Sequence, residues 1–367
     1  MLRGHYTLRS HPQETIMNKN DLRPHLERLS ARASSELITK QLHWGDAILC
    51  DGLLYAARTL NRANLRETAE KWFASKLGAG PNTQGWFWVW AAEALPALDL
   101  YEQTKNAAYL DYARKIVEFM ESSATHTPGG AIVPHPPAME VWIDVAYFTA
   151  PAMAQLARID GDAARMERAI AQLIAHARAL LDPATGLFWH VAYVDKGTHS
   201  PCLWARGNSW WSIAAPQVLA EVDKAGMARK FATQIEEVIS TLARQLNAIA
   251  KLQDKGGLWH TVIDRPDSYI EASSAAGFAL GMIRALKMRL PGLDIDRIVE
   301  SAARAMAICD HIDKDGAFAG VSEQTPPGDF EFYNMVKIGT APYATGVCLM
   351  ALSESFSNWE QVGNSAR

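Results

Sequence analysis

Four stretches of this chain share one pattern. They read TPGGAIVPH (127–135), TGLFWHVAYV (185–194), KGGLWHTVID (255–264) and DGAFAGVSE (315–323). Each opens on a glycine turn and continues in near alternation of aromatic or β-branched residues. Each follows the second of two helical segments and precedes the next pair. The glycine turns recur roughly 55 to 70 residues apart, a degenerate repeat of helix, short turn, helix and long β-like loop. Such units bury their apolar faces only against one another, so they either stack in an open array or close on themselves. An open solenoid would have shorter, more regular repeats without Trp-rich loops.

Helical periodicity predicts helices over 21–39, 45–60, 64–77, 85–104, 107–123, 140–159, 163–181, 209–224, 228–248, 271–288, 293–311 and 341–356. The short links NRAN, TKNAAY, IDGDAA and KAGMA make successive helices antiparallel neighbours. Six such hairpins close into a ring of inner helices surrounded by outer ones. Inner helices are enclosed on every side and should be apolar nearly all round. GFALGMIRAL (277–286), GVCLMAL (346–352) and VWIDVAYFTAPAMAQLA (141–157) are. AARMERAIAQLIAHARALL (163–181) is amphipathic, as an outer helix should be. The predicted fold is all-α: a single (α/α)6 barrel over 19–360 with β-like loops at one mouth. A flexible lead-in over 1–18 and a tail over 361–367 flank it.

The net charge of −4 gives no electrostatic case for nucleic acid or an anionic membrane. No apolar run approaches the roughly 18 residues that span a bilayer, and the N-terminus lacks the apolar segment of a signal peptide. Four cysteines, far apart and without a CxxC pair, form neither a disulfide framework nor a zinc pattern. Buried, reduced thiols and a cytoplasmic location are expected, with no metal and no cofactor. The 12 tryptophans stand out. They serve either as core aromatics or, near the loops, as platforms for sugar rings.

In a closed ring the long loops gather at one end, where the inner helices begin. Asp144 then lies in an early turn of an inner helix, among Val141, Trp142, Val145 and Phe148. His135 and His190 lie in consecutive long loops, and Arg206 precedes the next inner helix in LWARGNSWW (203–211). Glu271, Ser273 and Ser274 open another in SYIEASSAAGF (268–278). Each has a structural alternative. Asp144 can be a buried carboxylate held by backbone N–H groups or an arginine, His190 a satisfied core histidine, and Asn208 or Ser209 a helix N-cap. Their placement at corresponding points of successive repeats favours a shared site.

These segments, together with GLWHTVIDRPDSYIEASSAAGFALGM (257–282) and APYATGVCLMALSE (341–354), resemble glycoside hydrolase family 105. These are the unsaturated rhamnogalacturonyl hydrolases, related to the family 88 unsaturated glucuronyl hydrolases. The resemblance runs from about residue 40 to 356. It implies an (α/α)6 barrel and a hydrolase that releases a 4,5-unsaturated uronic acid from the non-reducing end of lyase-generated oligosaccharides. One acid protonates C4, water adds at C5, and the resulting hemiketal opens and releases the glycosidic bond. The resemblance makes Asp144 the general acid and base. It gives substrate-binding roles to His190, Arg206 and Trp210, with His135, Trp211 and Trp142 nearby. Proton delivery to carbon near neutral pH benefits from a raised carboxyl pKa, which apolar surroundings favour. Arginine suits bidentate binding of a uronate.

The chain departs from the pattern in one place. The family's second active-site aspartate is expected within TQGWFWVWAAEALPALDLY (83–101), and none stands there; Trp88 or a neighbour occupies the position. Trp88 is expected to line the subsite for the next sugar. Asp46, Asp51 and Glu93 are candidate substitutes, with Asp46 also a candidate helix-dipole partner. Two other functions remain open: an (α/α)6 glycosidase acting on saturated uronides with a carboxylate pair, or a carbohydrate-binding homologue without activity.

Overall fold

The computed structural model of the protein describes residues 19–39, 44–82 and 90–363. Six helices form the inner ring: α2 (Asp46–Leu60), α4 (Ala94–Thr104, entered through a 3-10 turn Ala91–Glu93), α6 (Ile143–Asp160), α8 (Ala205–Lys224), α10 (Ala272–Lys287) and α13 (Pro342–Gly363). Each packs on the next, and α13 packs back on α2, so the ring is closed. Outside it lie α1 (Lys19–Thr39), α3 (Ala63–Ala79), α5 (Ala107–Ser122), α7 (Ala163–Leu180), α9 (Ala232–Lys251) and α11 (Ile295–Arg304). This is the (α/α)6 barrel that the repeat implied.

The burial pattern follows from that topology. In α6 every residue from Ile143 to Ala154 is buried, whereas α9 buries one stripe including Val238, Leu242, Leu246 and Ile249. Polar residues set the starts of the outer helices. Asn106, Asp162 and Asp294 accept from backbone N–H groups in the first turns of α5, α7 and α11.

The repeated glycine turns have one geometry. Gly130, Gly186, Gly257 and Gly316 have φ of 88°, 80°, 87° and 82°, a region that residues with a Cβ avoid. In three of the four turns an aspartate accepts backbone N–H groups within the turn: Asp182, Asp254 and Asp313. The chain then runs to the mouth and pairs in short antiparallel ladders. These are β1 (Glu140–Trp142), β2 (Val191–Tyr193) and β3 (Thr198–His199) in one sheet, then β4 (Trp259–His260) with β5 (Ile270–Glu271), and β6 (Val321–Ser322) with β7 (Ile338–Gly339). Each loop is tied to the preceding inner helix. The N–H groups of Ile143, Ala205 and Ala272 donate to the carbonyls of His190, Thr261 and Gly320 at 3.1, 2.9 and 2.9 Å. The otherwise unpaired N–H groups at the helix starts thus hold the mouth together.

Several boundaries move. Residues 140–142 pair as β1 rather than opening α6. Helix α8 begins at Ala205, not 209, because Asn208 is no N-cap: its amide donates to Phe188 O and Trp204 O at 2.9 and 3.0 Å. Residues 305–311 are a 3-10 turn, and a short helix α12 (Phe330–Met335) lies in a stretch expected to be loop. Helix α13 runs to Gly363, three residues past the expected domain end at 360. The expected lead-in over 1–18 and residues 364–367 of the expected tail lie outside the described residues. Among the described residues, no helix is long and apolar enough to cross a membrane.

Candidate active site at the loop-bearing mouth

Asp144 occupies the first turn of α6, with 8% of its surface exposed. Its Oδ2 lies 3.5 Å from His190 Nε2. That is long for a hydrogen bond, and neither atom has another hydrogen-bond partner. Two buried polar atoms left open beside each other are rare in a structural pair and common where a ligand completes the set. His190 is fixed from its other side: Nδ1 lies 2.6 Å from the Tyr333 hydroxyl. Its ring lies against Trp204, with centroids 4.2 Å apart, and meets Trp142 edge-on at 5.5 Å. Trp142, half-buried, donates its indole N–H to Glu140 and packs edge-on against His135 at 4.9 Å. His135 is half-buried; burial lowers its pKa, partly opposed by Glu140.

Arg206 differs from expectation. It is buried in the first turn of α8, stacked between Trp204 and Tyr343 at 4.5 and 4.9 Å. One terminal nitrogen donates to Ser322 O (2.8 Å), Ser322 Oγ (2.5 Å) and the Tyr343 hydroxyl. The other donates to Glu323 O and Thr325 Oγ1, both at 2.8 Å. With both terminal nitrogens engaged, the bidentate grip on a uronate is not on offer. Arg206 clamps the 322–325 loop and supplies a fixed positive charge. Glu271 sits 3.7 Å from it and is itself saturated by Ser273, the Ser274 N–H and Ser322.

The tryptophans divide. Trp210 stacks on Tyr147 (4.9 Å) and touches Phe148 and Tyr343 (5.8 and 6.1 Å), so it belongs to an aromatic floor below the mouth, not to an open face. Trp44 completes that floor, stacked on Tyr343 at 5.0 Å. Trp211 does not join the site. It is fully buried, points toward α7, packs on Phe188 and donates toward Leu173 O. Its neighbour Trp210 faces the floor and Trp211 does not, because successive helical residues diverge by about 100°. Trp88 lies outside the described residues.

The three spare acids are placed differently. Asp46 is buried in the first turn of α2, at the same end of the ring as Asp144. Glu93 is committed to a buried network with Lys76 Nζ (2.6 Å) and the Tyr112 hydroxyl. Asp51 lines a cavity of about 1100 Å³ at the C-terminal ends of the inner helices, the end away from the mouth, with Tyr55, Arg58, Asp99 and Arg284. Neither Glu93 nor Asp51 substitutes for the missing aspartate.

The family model described as Glycosyl Hydrolase Family 88 matches residues 19–358, all of the barrel but the end of α13. The chain belongs to this family. Among curated relatives, this family 88 barrel is 27% identical over 238 residues to the unsaturated rhamnogalacturonyl hydrolase YesR of Bacillus subtilis, covering 62% of this chain and 64% of that protein. The chain thus spans less than two thirds of that relative. Among solved structures, it superposes with a TM-score of 0.83 on a possible member of the GH105 family from Salmonella enterica, at 25% identity, covering 97% of this chain and 100% of the other. The unsaturated glucuronyl hydrolase of Bacillus sp. GL1 has the same fold, with a TM-score of 0.71, 15% identity and coverage of 91% and 96%.

Three residues at this mouth have no role in the reading of the sequence: Trp204, Tyr333 and Tyr343. A signal existed for the first. An aromatic two residues before a polar residue recurs where inner helices begin: Trp44 and Asp46, Trp142 and Asp144, Trp204 and Arg206, Tyr269 and Glu271. Tyr343, two residues before Thr345 at the start of α13, fits it as well, whereas Tyr333 carries no such local mark.

Asp51 provides a test of the barrel's other end. Burial, reinforced by Asp99 and partly offset by Arg58 and Arg284, raises its pKa from 3.8 to about 7. The folded chain therefore keeps a proton that the unfolded chain releases. Stability falls as pH rises between those two values and levels off above, by an amount on the order of 4 kcal/mol. Asp51→Asn is expected to raise Tm at pH 8 and to change it little at pH 4, as read by thermal denaturation. An equal shift at both pH values contradicts this placement.

Proposed function

We propose that this family 88 protein releases a 4,5-unsaturated uronic acid from the non-reducing end of lyase-generated oligosaccharides by adding water across C4=C5. Rhamnogalacturonan- or pectin-derived fragments are the substrate class. The observation that carries this reading is the open carboxylate at the mouth: Asp144, with an unsatisfied oxygen beside an unsatisfied His190 nitrogen. Cleavage at a saturated anomeric carbon uses two carboxylates flanking the bond. Here Asp51 and Glu93 are engaged elsewhere, Glu271 is saturated, and the segment TQGWFWV (83–89) contains no acid, so that of the candidate substitutes only Asp46 shares the mouth with Asp144. Hydration of an enol ether needs one acid that gives a proton and regains it.

The steps balance on that one group. Asp144 gives its proton to C4, and the cation forming at C5 is shared with the ring oxygen. Water bonds to C5 and returns a proton to the Asp144 carboxylate. The C5 hemiketal then opens, and the hemiacetal left at C1 expels the aglycone as an alcohol. His190 Nε2 is placed to donate to substrate or to the carboxylate, and the Arg206 charge attracts the uronate through space. The half-buried Trp142 offers a ring face at the mouth for a sugar, and Asp46 a hydroxyl contact at the same end. The reading places the reaction in the cytoplasm, where the four buried thiols stay reduced.

The test is ultraviolet absorbance of the conjugated enol acid. Fragments made by a rhamnogalacturonan lyase should lose it on addition of the protein. No loss on these or on pectin-, ulvan- and glycosaminoglycan-derived fragments sinks the proposal and favours a binding role.

A further inference from the structure

Tyr333 lies far from Asp144 in sequence, on α12, a helix the repeat does not require. With Cys202, Trp204 and Val262 it forms a small apolar cluster separate from the main core, braced by Phe330. Arg265 lies over the Phe330 ring at 3.8 Å, and Asp329 caps the helix through the Phe332 N–H. The cluster buries Tyr333 completely and leaves its hydroxyl 2.6 Å from His190 Nδ1.

A buried phenol has one proton to place. Burial pushes the Tyr333 pKa far up, so that proton stays on. His190 Nδ1 is the acceptor within reach for the phenolic proton. If Nδ1 carried the proton instead, the phenolic hydrogen would be buried without an acceptor, a costly state. The neutral imidazole must then carry its own proton on Nε2, the atom facing Asp144 at 3.5 Å.

We propose that Tyr333 is a positioning residue for His190: its hydroxyl donates to Nδ1 and so holds the imidazole as an Nε2–H donor directed at Asp144 and the bound uronide. The phenol thereby decides which way the histidine presents its proton, much as a second partner fixes the tautomer of other functional histidines. Doubly protonated His190 would force Tyr333 to turn from donor to acceptor. This rests on the proposed role of Asp144, but the tautomer can be read without any substrate.

The experiment combines nuclear magnetic resonance of the full chain, labelled with 15N at histidine, and kinetics of Tyr333→Phe. In the wild-type protein, the His190 signals, assigned by their loss in His190→Asn, should show a protonated Nε2 and an unprotonated, hydrogen-bonded Nδ1. A protonated Nδ1 in neutral His190 overturns the proposal, whether or not the protein turns over any oligosaccharide. In Tyr333→Phe the fixed tautomer should give way to a mixture. On an unsaturated uronide, kcat should fall about tenfold with KM little changed. A variant that only loses Tm, with tautomer and kcat unmoved, shows a packing role and overturns the proposal.

Discussion

Asp144→Asn is expected to lower kcat on an unsaturated uronyl oligosaccharide by about 10³-fold or more, with KM little altered and the fold retained. Proton transfer by a positioned carboxyl typically contributes about 10²–10⁴-fold, and here the same group serves in both proton steps. Asparagine fills the same space but can neither release a proton to C4 nor take one from water. The fold should tolerate the change, because Oδ2 of Asp144 has no hydrogen bond to lose and the amide keeps the shape of the carboxyl. Steady-state kinetics and a thermal melt check both halves. Residual activity within tenfold of wild type removes Asp144 from the mechanism.

Closing the ring at Gly52 and Gly346 should matter as much to stability as Asp144 does to turnover. Here α2 and α13 touch backbone to backbone. A Cβ on Gly346 would lie 2.2 Å from Ile48 O and 2.5 Å from its carbonyl carbon, and one on Gly52 would lie 2.5 Å from Gly346 O. Backbone cannot rotate away as a side chain can, so the two helices would have to separate. Gly346→Ala is expected to cost about 2–4 kcal/mol, and Gly346→Val more. The sign is informative, since alanine in an unconstrained helix is favoured over glycine by about 1 kcal/mol. Gly78, helical in α3, is the control, because a Cβ there would meet nothing within 4 Å. Gly78→Ala should be neutral or stabilising. Urea unfolding of the three variants gives the comparison, and a stabilising Gly346→Ala would mean that the ring does not close there.

The barrel was legible because it is written in periodicity. Inner helices such as 141–157 are apolar on every side, outer helices such as 163–181 on one, and a positive-φ glycine marks four of the long loops. Asp144, His190, His135 and Trp142 were legible because local sequence places them at helix starts and in those loops, and the structure brings them together. Arg206 was placed correctly but its chemistry was not. Its partners, Ser322, Thr325 and Tyr343, come from more than a hundred residues away, and no local pattern reports whether a guanidinium is already satisfied. Trp211 was misread through adjacency: it sits beside Trp210 in sequence but on another face of α8. Tyr333 stayed hidden because FEFYNM is too short to show a period, and its contact with His190 is made across the mouth. The Gly52 and Gly346 contact is likewise a property of two helices and of neither alone.

The central claim is that water adds to C5 of an unsaturated uronide and that the anomeric carbon is not attacked. Turnover in 18O-labelled water, with the released uronic acid analysed by mass spectrometry before carbonyl exchange, tests it most directly. The account predicts label at C5 and an aglycone alcohol that keeps its own oxygen, with Asp144→Asn producing neither product. Label at C1 would contradict it and would return the barrel to the ordinary two-carboxylate chemistry of a glycosidase.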